Sequence, residues 1–242
     1  MANKGETKTQ KSLSAPKSRY FSRKVDKFTT KSKAGTHRKK DSVPLSFALR
    51  QLLEVVANAR EAKKILGEGK VKVNAIARKD ERFALGLFDL IELAELKKKY
   101  RVVLDEKGRL ILREIDAKSK DFKISKVTGK RAIKGGKILL TTNDGFTIDP
   151  GKAKVGVDDS IKISLPEIKI DEVYPMAKGS TIFIIGGTHV GETAMVEDVM
   201  AGSLQRKRAV LLSSKDNQYQ TVTRNVFVVG KAKSEIEALT QE

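Results

Sequence analysis

The sequence predicts an α+β fold class built from small parts in series: a basic extension, a small α+β module, a central β domain and a small β-barrel. Three observations predict it. Residues 1–40 carry 13 Lys and Arg but only Leu13 and Val25 among Leu, Ile and Val. Apolar residues at helical spacing are concentrated between Leu45 and Leu66. Beyond residue 70, short alternating runs separated by glycine turns take over, the pattern of half-buried strands.

Taken in order, the extension (1–41) is too poor in aliphatic side chains to offset its ordering entropy, so on its own it is expected to be irregular. Its aromatics Tyr20, Phe21 and Phe28 lie among Lys17, Arg19, Arg23, Lys24 and Lys27, and Arg38, Lys39 and Lys40 close it. Cations beside rings suit phosphate pairing and base stacking, and the expectation is a segment that orders on RNA. Deleting 1–40 should then weaken binding without unfolding the remainder. A merely solubilising charge run is the competing reading.

The module spans 42–115. Leu45, Leu49, Leu52, Leu53 and Val56 predict a first amphipathic helix. Asn58 is placed to cap a second, running to Leu66 and stopped by Gly67 or Gly69. Val71 and Val73 alternate with Lys70 and Lys72, a strand signature. Further strands are expected at Leu85–Leu93, Tyr100–Leu104 and Leu110–Ile115, the last two joined by a turn at Gly108. The central domain (116–172) should hold strands at Phe122–Val127, Ile138–Thr142, Phe146–Ile148 and around Ile161 to Leu165, with glycine- and lysine-rich loops at Thr128–Lys137 and Gly151–Gly156. The barrel (173–232) should use Thr181–Ile185, Thr193–Val199, Ala209–Ser213 and Thr221–Val229, and a tail (233–242) could hold one helical turn at Ser234–Leu239.

Charge narrows the partners. Lys and Arg number 49 against 30 acids over 242 residues, a net +19 of which residues 1–40 hold +11. Such a balance implies a polyanion. The absence of cysteine removes disulfides, thiolate chemistry and cysteine metal sites. No apolar run approaches the ~20 residues a membrane span needs, and the N-terminus has no secretory core, so a cytosolic protein is expected. A mitochondrial transit segment would also be basic, but the amphipathic stripe is missing.

Catalytic constellations are weak. Gly186-Gly187-Thr188-His189-Val190-Gly191-Glu192-Thr193 matches a phosphate-loop spacing except that Glu192 replaces the lysine, and β-branched residues follow where a helix is required. His37 and His189 are the two histidines, far apart in sequence, and the carboxylate pairs Asp80/Glu81 and Asp158/Asp159 sit in turn-like contexts. Basic side chains remain. Arg60, Lys63 and Lys64 share a helix face, Lys70 and Lys72 extend it, and Arg78 and Lys79 continue it. That is a surface for an RNA backbone, weighed against an ordinary charged helix face in which Glu61 and Glu68 take part.

Asn58–Asn74, ending in Gly69-Lys70-Val71-Lys72-Val73-Asn74, resembles the RNA-binding module named for bacterial ribosomal protein four. Ser14-Ala15-Pro16-Lys17-Ser18, Gly35-Thr36-His37 with Pro44-Leu45, and Gly86-Leu87-Phe88-Asp89 resemble, in order, the signature of the archaeal and eukaryotic ribosomal small-subunit protein four-e family. Met176–Val199, with Gly186, Gly187 and Gly191, is similar to a KOW motif in a small β-barrel. The order of parts follows that family nearly end to end. Asn74-Ala75 departs from the frequent Asn-Gly, so a longer or different turn is expected there, and Thr36 stands where proline is frequent. The lack of a long basic segment after the barrel suggests an archaeal member.

The resemblance implies a structural protein of the small ribosomal subunit, binding ribosomal RNA beside neighbouring ribosomal proteins, with no catalytic residue, cofactor, metal, membrane or small-molecule substrate. Its RNA contacts would include His37 and Asn74 besides the cations above, and its loop glycines would be Gly186, Gly187 and Gly191. An RNA-modifying enzyme, a transcription-elongation factor or a chromatin protein are the alternatives, and none accounts for the whole order of parts.

Overall fold

The computed structural model describes residues 7–116, 121–151, 153–203, 206–214, 217–231, 234–236 and 239. The chain forms two units, residues 1–103 with 109–117, and residues 104–108 with 118–242. Strands dominate both, and helices are few.

In the first unit the extension is structured from residue 7 onward, contrary to the expectation of an irregular segment. Strands β1 (Thr9–Lys11) and β2 (Phe28–Thr30) pair antiparallel. Polar ties replace the missing aliphatics: Lys33 N–H donates to the Arg82 carbonyl at 2.8 Å, Leu110 N–H to the Ser18 carbonyl at 2.8 Å, and Arg82 Nε to the Lys31 carbonyl at 3.3 Å. Phe21 packs edge-on against Phe47 at 5.3 Å. Composition registers aliphatic poverty but not a network of hydrogen bonds, so the order was not legible in it.

Strand β3 (Val43–Pro44) pairs with β6 (Ala84–Leu85). The expected first helix is shorter than its periodicity suggests. Helix α1 (Leu45–Phe47) widens at once into a π-turn over Ala48–Leu52, Leu53 N–H bonding the Ala48 carbonyl at 3.0 Å, and Glu54 adopts φ +51. Leu45, Phe47, Ala48 and Leu49 are nonetheless buried, so the apolar face is kept while the helix is not. Helix α2 (Ala59–Gly67) leads into β4 (Val71–Val73) and β5 (Ile76–Ala77). These strands join β7 (Leu90–Leu93), β8 (Lys98–Leu104) and β9 (Leu110–Ile115) in a sheet of order β5-β4-β7-β8-β9.

Two details differ from expectation. The segment Leu85–Leu93 is not one strand, because a turn at Gly86–Asp89, with Phe88 at φ +64, separates β6 from β7. The turn after Asn74 is tight rather than long: Val73 pairs with Ile76, and Asn74 and Ala75 both take positive φ, +52 and +65. The two-residue hairpin geometry thus survives with alanine in the left-handed position where glycine would be unstrained.

The second unit holds two five-stranded antiparallel sheets. The first has the order β12-β11-β10-β13-β14, from β10 (Phe122–Ala132), β11 (Ile138–Thr142), β12 (Thr147–Ile148), β13 (Ser160–Ser164) and β14 (Lys169–Tyr174). Its core joins Val127, Leu140, Ile148, Val155, Ile161 and Ile163. Strand β10 runs five residues beyond the expected Val127, turning much of the expected loop into a hairpin. Strand β14 escaped the sequence reading because its charged residues obscure the alternation. The second sheet has the order β18-β17-β16-β15-β19, from β15 (Thr181–Ile184), β16 (Thr193–Met200), β17 (Ala209–Ser214), β18 (Asn217–Val222) and β19 (Val226–Gly230). A single 3-10 turn at Thr223–Asn225 splits the expected strand Thr221–Val229. The helical turn expected at Ser234–Leu239 falls partly outside the described residues.

Candidate nucleic-acid interface

Helix α2 starts and stops by side-chain chemistry. The Glu61 carboxylate accepts from the N–H groups of Ala57 and Asn58 at 3.0 and 3.3 Å, satisfying donors that a helix start leaves open. Gly69, at φ +75, provides the left-handed residue that ends it. Ala62 and Leu66 face inward and are fully buried. Arg60, Lys63 and Lys64 are therefore left on the exposed side, and no ion pair holds them among the described residues.

The cations that follow are more constrained. Lys70 Nζ lies 2.5 Å from both the Glu68 and Glu95 carboxylates, whose hydrogen bonds push its pKa up. Lys72 Nζ is 3.8 Å from Glu92. Arg78 stacks its guanidinium over the Phe83 ring at 4.6 Å, and Lys79 is exposed. In the extension, Lys17, Lys24, Arg38, Lys39 and Lys40 are exposed.

Arg19, Arg23, His37 and Asn74 have another environment. Arg19 is 1% exposed and donates to the Ser42 carbonyl (3.2 Å), the Thr30 carbonyl (3.0 Å) and Ser32 Oγ (2.8 Å). Burial, and then the neighbouring Arg23, lower its pKa to about 10, so it remains a cation at neutral pH. Arg23 donates to the Ala15 and Pro16 carbonyls at 2.6 and 2.8 Å and lies 5.3 Å from the Phe21 ring. The guanidinium fork suits this gathering of carbonyls, which a single ammonium could not reproduce.

His37 and Asn74 meet on Asp89. His37 Nε2 is 2.9 Å from Asp89 Oδ2, Asn74 Nδ2 donates to Oδ1 at 2.8 Å, and the Gly86 N–H donates to Oδ2 at 2.7 Å. Asn74 Oδ1 in turn accepts from the Leu90 N–H at 2.9 Å. The imidazole lies so close over Gly86 that a Cβ there would sit 2.2 Å from His37 Nδ1. Asp89 is 1% exposed, so the cluster ties the extension to the sheet from within. Sequence reasoning missed this hub, although an aspartate inside the apolar run Phe88-Asp89-Leu90-Ile91 was the available signal.

The glycine-rich loop between β15 and β16 has Gly187 at φ +106 and Gly191 at φ +88. The next element is a strand, not a helix whose N-terminus could hold a phosphate. Gly191 also answers to a close approach: a Cβ there would meet the Asp105 carbonyl oxygen at 2.8 Å, a residue of the same unit. His189 stacks on Tyr219 at 4.1 Å.

Small ribosomal subunit protein eS4 of Methanosphaera stadtmanae is 38% identical to this chain over 234 residues, covering 96% of each sequence. The chain belongs to the ribosomal protein S4e family. Its S4e relatives include the eS4 proteins of Methanococcus aeolicus, 39% identical over 241 residues (96% of this chain, 98% of the other), and Archaeoglobus fulgidus, 35% over 226 residues (93% and 94%). The model of Ribosomal family S4e matches residues 96–170. The crystal structure of the 30S ribosomal protein S4e from Thermoplasma acidophilum is similar with a TM-score of 0.67 at 30% identity, covering 80% of this chain and 97% of that one. In this S4e chain, the segments Gly35–His37 and Gly86–Asp89 that carried the sequence resemblance are brought together by Asp89.

Proposed function

We propose that this chain is a structural constituent of the small ribosomal subunit that binds folded ribosomal RNA, in the cytoplasm and without a catalytic step. The observation that carries the reading is end-to-end similarity to small-subunit proteins, with 96% of this chain aligned. The first unit offers the RNA a set of exposed cations: Arg60, Lys63 and Lys64 on α2, Lys79 beyond β5, and Lys17, Lys24 and Arg38–Lys40 on the extension. Arg19, Arg23, His37 and Asn74 act beneath them, fixing the extension so that its lysines are presented on an ordered surface. Ordering them in advance lowers the entropy that binding must offset. Lys70 and Lys72 begin paired to carboxylates, and their contact with phosphate exchanges one anion for another. Strands β15–β19 act as a KOW-type barrel whose loop at Gly186, Gly187 and Gly191 packs backbone to backbone. Most contacts read RNA shape and phosphate rather than base sequence.

Sucrose-gradient fractionation of native lysate at low and high salt tests this reading. The chain should travel with the small subunit and leave only under stringent salt; residence at the top of the gradient at low salt would overturn it. With purified small-subunit RNA, log affinity should fall with log salt by about 0.7–0.9 per phosphate neutralised. Replacing Arg60, Lys63 and Lys64 together by Gln should reduce that slope by about 2.

A further inference from the structure

The exposed cations on α2 have a counterpart in the other unit. Strand β10 pairs with β13 only from Phe122 to Lys126, and β11 pairs with β12 only at Leu140 and Thr141. From Arg131 to Leu139 the β10–β11 hairpin is consequently a two-stranded ribbon with no lateral strand, reaching roughly 10 Å past its sheet at ~3.4 Å per residue. Its turn is closed by the Ile133 N–H on the Lys137 carbonyl at 2.9 Å, with Gly135 and Gly136 at φ +89 and +72.

Such a ribbon is marginally stable alone in water, and this one holds its apolar residues outward. Ile133 and Ile138 are 38% and 48% exposed. Lys130, Arg131, Lys134 and Lys137 occupy its strands and tip, and residues 128–140 contain no acid. Four buried or strand lysines of the same unit, Lys123, Lys126, Lys162 and Lys169, each face a carboxylate, at 2.6, 3.1, 2.5 and 2.5 Å, whereas exposed Lys154 and Lys178, like the ribbon cations, do not. The ribbon cations make no ion pair among the described residues. At the ribbon's root a groove with an apolar floor is lined by Lys130, Ile138, Leu140, Pro150, Lys154 and Val155, which continues the cationic track with Lys154.

We infer that the β10–β11 ribbon and the groove at its root form a second RNA-docking arm, separate from the α2 surface and resting on the reading of the chain as an RNA-binding subunit protein. The occupant is a folded RNA strand, because clustered unpaired cations without acids complement a phosphate track. The deep groove of A-form RNA excludes side chains, so the arm lies along the shallow minor groove or a single-stranded segment, with lysines on phosphate and ribose. Ile133 and Ile138 lose their exposure against sugar and base faces there.

Lysine-acetylation footprinting of the full chain, free, bound to purified small-subunit RNA, and within the assembled subunit, tests the inference. On RNA alone, Lys130, Lys134, Lys137 and Lys154 should each fall at least about fivefold in reactivity, alongside Lys63 and Lys64. Protection of Lys63 and Lys64 without the ribbon lysines would overturn the arm and leave the proposed function standing. Ribbon protection that arises only in the assembled subunit would also overturn it, pointing to a protein neighbour. No protection at either place on RNA would sink the arm and the proposed function together. A full chain carrying Lys130→Gln, Arg131→Gln, Lys134→Gln and Lys137→Gln should lose about 3 from the salt slope, and an unchanged slope in a folded variant would contradict the arm.

Discussion

Asp89 and Asp144 are the buried carboxylates among the described residues, one in each unit and each set in a turn between strands. Asp89 is reached from far along the chain, by His37 at a separation of 52 residues and Asn74 at 15. Asp144 is satisfied from within a single segment, β10 to β12, by Lys123 at 2.6 Å, Ser125 Oγ at 2.7 Å and Thr142 Oγ1 at 2.5 Å. The first carboxylate fastens an extension that brings almost no apolar surface of its own. The second sits beside a core of Val127, Leu140, Ile148, Ile161 and Ile163 that supplies cohesion independently. A buried charge can thus act as a long-range clasp or as a local stiffener, depending on which segment its partners come from.

The sharpest way to break the comparison is to orphan each charge. Lys123→Ala leaves Asp144 buried without its cation and should cost about 3–5 kcal/mol in urea denaturation, whereas Lys123→Met with Asp144→Leu should recover most of that loss. Asp89→Ala leaves His37, Asn74 and the Gly86 N–H to find other partners and should cost about 3 kcal/mol. Its distinguishing effect is local: amide exchange across residues 7–40 should accelerate while the β10–β14 sheet stays protected. Uniform acceleration in both units would show that the clasp reading is wrong.

Gly86→Ala should cost about 2 kcal/mol by driving His37 off Asp89, a smaller loss because the ring can swing away. Acid probes the Asp144 cluster. Burial works against the charged form of Asp144, but Lys123, Thr142 and Ser125 outweigh it and hold its pKa below the ordinary carboxylate range. Its contribution is therefore fully present above about pH 4 and is lost as the pH falls through the depressed folded value. Urea midpoints of the wild type should decline below about pH 4, and less steeply in the Lys123→Met, Asp144→Leu double variant. The smallest change has the opposite sign. Ala75→Gly relieves a left-handed alanine and should stabilise the chain by about 1 kcal/mol.

The parts of the fold that follow from periodicity were legible: Asn58 before α2, Gly69 after it, the alternation of Val71 and Val73, and strands at Leu110–Ile115 and Ile138–Thr142. What escaped depends on tertiary partners. Residue type and charge do not reveal that Arg19, His37 and Asn74 are buried on protein partners, Ser42, Thr30 and Ser32 for the first and Asp89 for the other two. Helix α1 stops short because the helical spacing of Leu45–Leu53 also fits a widened turn. The cations at Lys130–Lys137 fall in a glycine- and lysine-rich stretch that reads as a loop, and only strand pairing shows that they stand on a projecting ribbon.

The long separation of His37 from Asp89 also orders events during synthesis. At about 5–20 residues per second, the 52 residues after His37, ending with Asp89, take about 3–10 s to add. For that interval the newborn extension has its arginines and lysines but not the carboxylate that holds it. Arg19 and Arg23 have their partners within residues 12–42, but the exposed lysines can meet nearby RNA before completion of the Gly86–Asp89 turn gives His37 its anchor. Deletion of residues 1–40 would remove that early hazard together with the clasp itself, so the shortened chain should be less stable than the full one rather than merely less basic.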